Sequence, residues 1–344
     1  METSKAVLPA GGSRLVLTAS HALRLAARRA MQAGARCRVS AALYTRKFVM
    51  VQQLQSEEQR RIAAEHADET RRFNERLGAL GLDEAARYYW YHAVDLGDGL
   101  VTPGLYDFRG SLDRFAFPDE MSGLRVLDVG SATGFFTFEF ARRGARVTSV
   151  ELPSLESLDR FPGQTVEQSI DKIEHMLDPG RDRTSPKKPA AERAAEYYDL
   201  LLDGPFRFCR ERLRADVDRC YASIYDLTPE KLGGGDFDLV FIGDVLLHTL
   251  HPLQALAAVV PLCAGTLVLS QFFPETADER PAMLYVGGAD PAVDEISWWW
   301  PNQACIEELL GKFGFREVKS AGRHSGILRP SGFVYERTIL HARR

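Results

Sequence analysis

The segment Val126–Phe136 constrains the fold of this chain more than any other part of its sequence. It reads VLDVGSATGFF: an apolar run ends in an acid, and two glycines then bracket a tight turn. An all-apolar run of this kind is typical of a buried parallel strand, because both faces of such a sheet are covered. Gly130 and Gly134 permit backbone conformations and close approaches that a side chain would block. The segment therefore predicts a strand that presents bare main chain to a ligand.

A second strand with an acidic end follows about 20 residues later, as in nucleotide-binding folds. Residues 146–151 read RVTSVE, and Glu151 could accept hydrogen bonds from a ribose diol. The glycine spacing G-x-x-x-G differs from the dinucleotide-binding pattern, and no lysine follows as in a phosphate-cradling loop. The two strands thus favour an adenosine-containing ligand that is not a dinucleotide. A glycine turn without any ligand is the alternative.

Later segments predict the rest of the sheet. Because helical periodicity separates the strands, their order matches an α/β fold with a doubly wound, mainly parallel seven-stranded sheet. A mixed-charge segment predicts an exposed helix ahead of the sheet. The predicted later strands are residues 218–224, 237–242 and 266–272, with a closing pair at 315–320 and 333–341, and the exposed helix covers residues 56–77.

The predicted elements divide the chain into three parts. Residues 1–87 form a helical extension, and residues 88–123 form a lead-in rich in aromatic side chains and turns. Residues 124–344 hold the sheet, with a helical insert at about 154–204. Inserts between sheet elements lie in surface loops and often shape the substrate side.

The first 56 residues are strongly basic, with nine Lys or Arg residues and one acid. Residues 15–31 could form an amphipathic helix, and three interpretations stay open. The segment is an organelle transit peptide, a helix that contacts an anionic membrane or RNA, or a solvated helix that packs on its own domain or on a second subunit. Packing on a second subunit would make the protein a homo-oligomer.

The composition of the whole chain disfavours several function classes. The net charge of −4 does not by itself indicate a nucleic-acid partner. The five cysteines form no C-x-x-C pair, so neither a metal site nor a disulfide framework is indicated, and we expect a cytoplasmic protein. No uncharged apolar run approaches the length of a membrane span, so we expect no stable membrane insertion.

Two histidines are candidate catalytic residues. His248 follows Asp244 after the predicted strand 237–242, and it could act as a general base or orient a substrate. A packing or helix-capping role is its alternative. His92 lies in the lead-in. This segment could form a lid over the ligand site or anchor the N-terminal helices, and both interpretations stay open for His92. For Trp90, close by, we expect the anchoring role.

These features resemble class I S-adenosylmethionine-dependent methyltransferases. In that family the turn after the first strand holds the methionine part of the cofactor, and the acid after the second strand holds the ribose. An acid after the third strand meets the adenine amine, a donor that needs an acceptor. The resemblance implies that Asp128, Gly130, Ser131, Gly134, Glu151, Leu152, Tyr225, Asp226, Gly243 and Asp244 bind the cofactor, and that His92 and His248 handle the methyl acceptor.

Four blocks of the sequence resemble a narrower group, the tRNA wobble-uridine methyltransferase-like family. The resemblance covers roughly residues 88–320, and its more specific parts are the histidine-aspartate lead-in and the tryptophan-proline block. It implies tRNA as an alternative partner, for which the basic N-terminal segment would supply a binding face. The blocks are WYHAVDLGDGLVTPG, LRVLDVGSATGFFTFEFARRGA, FDLVFIGDVLLHTLHPLQAL and WWWPNQACIEELLGKFGF.

Two departures from that family favour plain S-adenosylmethionine over its carboxylated form. Leu247 stands where users of the carboxylated cofactor have a tyrosine, and residues 88–124 contain no lysine. An extra carboxylate would therefore be buried without adequate pairing, which is costly. We predict a methyltransferase that acts on a small-molecule or lipid-pathway acceptor. A tRNA wobble-uridine-modifying methyltransferase and a non-catalytic adenosine-binding scaffold are the alternatives.

Overall fold

The apolar segments of the sequence form the strands of one central sheet, and amphipathic segments form helices around it. The computed structural model describes residues 57–178, 187–275, 280–289 and 297–344. The helices are α1 (Glu57–Leu80), α2 (Phe135–Arg142), α3 (Val166–Leu177), α4 (Ala190–Tyr198), α5 (Gly204–Leu213), α6 (Pro252–Val259) and α7 (Gln303–Lys312). The strands are β1 (Arg125–Val129), β2 (Arg146–Glu151), β3 (Val217–Tyr221), β4 (Phe237–Gly243), β5 (Cys263–Gln271), β6 (Met283–Tyr285), β7 (Trp299–Pro301), β8 (Glu317–Leu328) and β9 (Phe333–Arg343).

Seven strands form the main sheet in the order β3-β2-β1-β4-β5-β9-β8. Strands β1 to β5 pair in parallel, and β9 pairs antiparallel with both β5 and β8. Val129 is in register with Val150 of β2 and Ile242 of β4, so three strand ends meet at one edge. The strand order reverses at β1, which is where open α/β sheets bind ligands. The predicted doubly wound, mainly parallel sheet is confirmed.

A phenylalanine-rich core covers one face of the sheet. Phe136 of α2 lies against Phe241 of β4, with ring centroids 4.5 Å apart, and Phe115 lies 5.0 Å from Phe136. Aliphatic residues cover the opposite face, where α6 and α7 pack. Because both faces are covered, β1 and β4 are mostly apolar, and their charged residues are Arg125, Asp128 and Asp238.

Several element boundaries differ from the sequence-based prediction. The sequence between Tyr106 and Phe115 predicts a helix, but the structure has only a 3₁₀ turn there, Arg109–Phe115, because aromatic packing rather than helical periodicity orders this segment. The sequence after β4 also predicts a helix that carries His248, but the structure has a short 3₁₀ turn there, Leu246–His248. The α-helix begins at Pro252, where the fixed φ of proline suits a first helical position.

The insert is helical, as predicted. Helices α3 and α4 belong to it, and a π-helical stretch, Asp199–Asp203, joins α4 to α5. The basic segment at residues 1–56, including the predicted helix at 15–31, lies outside the described residues. In the part of the chain that the structure describes, no helix is both long and apolar enough to span a membrane.

The lead-in packs tightly between α1 and the sheet. Trp90 is buried with its ring 5.4 Å from Phe73 of α1 and 5.8 Å from Phe208 of α5, so its predicted anchoring role is confirmed. Arg329, in the β8–β9 turn, donates hydrogen bonds to the Gly104 carbonyl of the lead-in and to the Glu69 carboxylate of α1. The main chain at Gly104 lies so close to His92 that a Cβ would sit 1.9 Å from the His92 carbonyl carbon.

We expect a Gly104→Ala substitution to lower the free energy of unfolding by about 2 kcal/mol or more, because the added methyl group has no room beside the His92 backbone. Urea unfolding would measure the change. The matched control is Gly110→Ala, whose Cβ would meet nothing within 4 Å and should change stability by less than about 0.5 kcal/mol. Equal stability of the two variants would contradict this account of the lead-in.

Candidate active site

The turn after β1 brings bare main chain to the sheet edge. Gly130 has a φ of 70°, in the left-handed region, and a Cβ there would lie 2.5 Å from Cγ2 of Val245. The amides of Gly130 and Ser131 donate to the Val150 carbonyl at 2.9 and 3.2 Å, and the amide of Gly134 closes the turn by donating to the Ser131 carbonyl at 2.9 Å. The turn is therefore held between the ends of β2 and β4, and only glycine fits at position 130.

Glu151 is buried at the end of β2 with its carboxylate directed at this turn. Its Oε2 accepts a hydrogen bond from the Ala132 amide at 2.8 Å, and its Oε1 accepts from the Leu152 amide at 2.9 Å. A carboxylate oxygen has two lone pairs, so each oxygen can accept one further donor. Glu151 is thus fixed beside the glycine turn and could still bind a pair of neighbouring hydroxyl groups.

Asp128 supports the turn from within the sheet. Its side chain is buried, and the Thr137 hydroxyl at the start of α2 donates to its Oδ2 at 2.5 Å. Burial raises the pKa of Asp128 to about 7, while the hydrogen bond from Thr137 opposes the shift. Asp128 therefore ties α2 to β1, and its contribution to a ligand site is to hold the turn in place.

Arg219 of β3 lies beneath the same turn, and the sequence reasoning missed it. Its Nη1 donates to the Ser131 hydroxyl at 3.2 Å, and its Nη2 donates to the Ala132 carbonyl at 3.3 Å. The guanidinium carbon is 3.7 Å from the Phe206 ring centroid, a cation–π contact. Alternation along β3 puts Val217, Arg219 and Tyr221 on one face, but nothing in the sequence indicates that this face meets the turn.

The residues predicted to flank adenine follow β3 in a 3₁₀ turn, Ile224–Asp226. Asp226 is exposed at the end of this turn. The Tyr225 hydroxyl donates to Asp159 of the insert, and the same Asp159 oxygen accepts from the Leu250 amide at 2.6 Å. Burial and this hydrogen bond raise the pKa of Tyr225, so its hydroxyl stays a donor. The third strand, the insert and the segment after β4 are therefore joined here.

The insert also contacts the residue after β2. The Tyr198 hydroxyl of α4 donates to the Leu152 carbonyl at 2.5 Å. The insert is therefore bound to the sheet edge near both Glu151 and Tyr225, the two positions that the sequence assigned to ribose and adenine.

An ion pair lies at the carboxyl end of β4. Asp244 has a φ of 50°, unusual for a residue other than glycine, and its amide donates to the Ser270 carbonyl at 2.8 Å. The Arg337 Nε of β9 donates to Asp244 Oδ2 at 2.5 Å and to Oδ1 at 2.8 Å. Burial raises the pKa of Asp244, and the charge of Arg337 opposes that shift. No local signal could have found this pair, because its members lie 93 residues apart.

The two candidate histidines differ in their surroundings. His92 is buried among aromatic rings, and its Nδ1 is 3.1 Å from the Thr133 hydroxyl of the glycine turn. Burial lowers the pKa of His92 to about 3, so its imidazole is neutral. His248 is exposed and lies close enough to Asp244 to lower the pKa of that carboxyl. His248 thus faces the edge that carries the ion pair, whereas His92 supports the turn.

The three consecutive tryptophans make separate contacts. Trp298 is buried, and its amide donates to the Leu247 carbonyl at 2.7 Å. The Trp299 indole Nε1 donates to the Leu250 carbonyl at 3.0 Å, and the Trp300 ring lies 5.1 Å from Phe272. Strand β7 therefore packs along the segment after β4. The prediction that at least one of these rings lines a cleft or an interface stays a prediction.

Comparisons with known proteins give one partial sequence match. No protein-family model matches the chain. The magnesium-protoporphyrin O-methyltransferase of Rhodobacter capsulatus is 40% identical to this chain over 65 residues, which are 18% of this chain and 29% of that protein. The chain thus matches less than a third of the length of that curated relative.

Three solved structures illustrate what the fold is similar to. The magnesium protoporphyrin IX methyltransferase of Synechocystis PCC 6803 with bound SAM is 19% identical, over 65% of this chain and 71% of that chain, with a TM-score of 0.33. The N-terminal domain of EvdMO1 in the presence of SAH and D-fucose is 16% identical, over 80% of this chain and 94% of that chain, with a TM-score of 0.38. The 1,6-didemethyltoxoflavin-N1-methyltransferase of Burkholderia thailandensis is 15% identical, over 65% and 72%, with a TM-score of 0.33.

The resemblance to the tRNA wobble-uridine family finds no support in these comparisons. That resemblance stays a prediction from the four sequence blocks.

The raised pKa of Asp128 predicts a pH-dependent stability. The folded protein holds this proton up to about pH 7, whereas the unfolded chain releases it near pH 4, so the contribution of Asp128 is present at low pH and declines as the pH rises. We expect the stability difference between wild type and Asp128→Asn to fall by on the order of 2 kcal/mol from pH 5 to pH 8.

Urea unfolding at both pH values would measure this difference. The control is Asp218→Asn, which removes an exposed carboxyl group from β3 and should change stability by less than about 0.5 kcal/mol. A pH-independent difference for Asp128→Asn would show that this carboxyl group titrates at its ordinary value in the folded protein.

Proposed function

We propose that this protein is an S-adenosylmethionine-dependent methyltransferase that acts on a small-molecule acceptor. The observation that carries the proposal is the fixed position of the Glu151 carboxylate against the glycine turn at the switch point of the sheet. An adenosine-containing ligand needs bare main chain on one side and an acceptor for the ribose hydroxyl groups on the other. The partial match to a methyltransferase sequence agrees with this function.

The residues at the sheet edge fit the parts of this cofactor. The glycine turn, Gly130–Gly134, offers the close approach that the methionine part requires, because no side chain stands at its first position. Glu151 would accept from the ribose hydroxyl groups, and Asp226, exposed after β3, would accept from the adenine amine. When bound, the cofactor supplies an electrophilic methyl group on a positively charged sulfur.

The chain itself would align the acceptor and exclude water. Tyr198 and Asp159 attach the insert to the cofactor edge, and Trp299 attaches β7 to the segment after β4. These contacts bring polar and aromatic groups around the switch point, where alignment and desolvation speed group transfer. His248 would orient the acceptor from the exposed rim, and His92 would support the turn from below.

The first test measures cofactor affinity. We expect Glu151→Ala to weaken S-adenosylmethionine and S-adenosylhomocysteine binding about 10- to 100-fold, because two charge-assisted hydrogen bonds are lost. Gly130→Ala should weaken binding at least as much, because a methyl group would clash with Val245 and the φ of 70° is strained. Isothermal titration calorimetry would measure both.

Gly311→Ala is the matched control for the glycine substitution, since its Cβ would meet nothing within 4 Å and its position is on α7. The affinity of Gly311→Ala for S-adenosylmethionine should equal that of the wild type. Absence of binding by the wild type, or undiminished binding by Glu151→Ala, would count against the proposed function.

A second test concerns the rim histidine. We expect His248→Ala to lower turnover about tenfold or more while cofactor affinity stays within about twofold, because the side chain would contact the acceptor and not the cofactor. Turnover would be followed as S-adenosylhomocysteine formed in the presence of a small-molecule extract of the producing cells. Unchanged turnover would remove His248 from the reaction, and a parallel assay with tRNA would test the alternative acceptor.

A further inference from the structure

The ion pair between Asp244 and Arg337 lies where an acceptor would meet the methyl group. Asp244 is the last residue before Val245, and Val245 packs against the glycine turn at Gly130. Arg337 immediately precedes the β9 segment paired with β5, which begins at Thr338, so it reaches the same sheet edge from the other side. The pair therefore lies between the proposed cofactor loop and the antiparallel strands, at the carboxyl ends of β4 and β5.

The pair is enclosed but not fully buried. The Asp244 side chain is 28% exposed and the Arg337 side chain is 16% exposed. The hydrogen bonds that the structure describes for Arg337 use Nε and Nη1, so its Nη2 retains donors for a ligand. Keeping such a pair at the end of a central strand costs desolvation energy, which points to a role beyond stability.

Two tyrosines of the lead-in lie beside the ion pair. The rings of Tyr91 and Tyr106 are 4.9 Å apart, and both hydroxyl groups interact electrostatically with Asp244 and Arg337. Burial raises the pKa of Tyr91 well above its ordinary range and also raises that of Tyr106, so both hydroxyl groups are neutral, and they are hydrogen-bonded to each other. The cluster thus offers one hydroxyl donor, a guanidinium donor and one carboxylate acceptor.

The charge balance of this cluster distinguishes between acceptor classes. Arg337 is already neutralised by Asp244, so a carboxylate acceptor would bring an additional, uncompensated negative charge into an enclosed site. A neutral hydroxyl group meets no such cost, because it can donate to Asp244 and accept from a tyrosine. The positive charge that a methyl donor brings on sulfur would attract a carboxylate acceptor, but the Asp244 carboxylate would repel it. A carboxylate is also already ionised and needs no base, whereas a hydroxyl group must lose its proton.

We propose that Asp244 is the catalytic base of an O-methyl transfer to a neutral hydroxyl-bearing acceptor, with Arg337 holding the base ionised and Tyr91 and Tyr106 positioning the acceptor oxygen. This inference rests on the proposed function and names its acceptor class. The acceptor oxygen forms a bond to the methyl carbon as its proton passes to an Asp244 oxygen. The carbon–sulfur bond breaks with its electron pair left on sulfur, which becomes neutral. Asp244 then releases the proton to water.

The first experiment determines the chemical class of the product. Radiolabelled methyl groups from S-adenosylmethionine are transferred to a small-molecule extract of the producing cells, and the products are treated with mild alkali. Methyl ethers keep the label, whereas methyl esters release it as methanol. We expect alkali-stable label. Alkali-labile label, or cofactor binding without any transfer, would overturn the inference.

The second experiment separates the base from the cofactor site. We expect Asp244→Asn to lower turnover about 100-fold or more while the affinity for S-adenosylhomocysteine stays within about threefold. The control Asp216→Asn removes an exposed carboxyl group just ahead of β3 and should change neither. If Asp244→Asn leaves Arg337 unpaired and prevents folding, the double variant Asp244→Asn/Arg337→Met removes both charges and should fold without turnover. Retained turnover in either variant would overturn the assignment.

A third measurement does not depend on activity. A base must be ionised in the free protein, so the infrared difference between wild type and Asp244→Asn should show a carboxylate, and no protonated carboxyl band, at pH 7. The charged and titratable groups that face Asp244 are Arg337, His248, Tyr91, Tyr106 and Tyr335. A protonated Asp244 at pH 7 would contradict the inference. Failure of the wild type to bind S-adenosylhomocysteine at all would instead overturn the proposed function itself.

Discussion

The close approach of the turn after β1 to the segment after β4 is the contact on which the rest of the site depends. Gly130 lies so near Val245 that even one methyl group would force the two strand ends apart. The Val150 carbonyl of β2 also accepts hydrogen bonds from the first two amides of this turn and so fixes its shape. The ends of three parallel strands thus lie close together at this point. A ligand that enters there meets main chain from β1, a carboxylate from β2 and an ion pair from β4.

Charged groups at this edge are held by a small number of specific partners. Glu151 accepts two main-chain amides, Arg219 donates to the turn and stacks on a ring, and Asp244 is paired with Arg337. Such groups cost free energy to enclose and are weak contributors to stability. Their concentration at one end of the sheet, while the sheet faces are packed with apolar side chains, is what separates the site from the scaffold.

The sheet was predictable because its signals are local. Apolar runs such as residues 237–242 and the acid-glycine turn after β1 each indicate a strand within a few residues. Element ends were less predictable: the segment before Pro252 is a 3₁₀ turn because the α-helix begins only at that proline. The candidate cofactor residues follow the ends of parallel strands, and such ends meet at one sheet edge, so the sequence could predict that these residues lie near one another. The role of Arg337 was not visible, because its contact with Asp244 exists only after β9 has paired with β5.

The Asp159 carboxylate gives the insert a mechanical link to the sheet. One of its oxygens accepts hydrogen bonds from both the Tyr225 hydroxyl and the Leu250 amide. The turn that would face adenine and the loop that carries the rim histidine are therefore held by the same carboxylate oxygen. A molecule that pushes the tyrosine ring aside must therefore pull on the loop, and a molecule that draws the loop inward must reorient the ring. The Asp159 carboxylate therefore couples the position of the Tyr225 ring to that of the loop after β4.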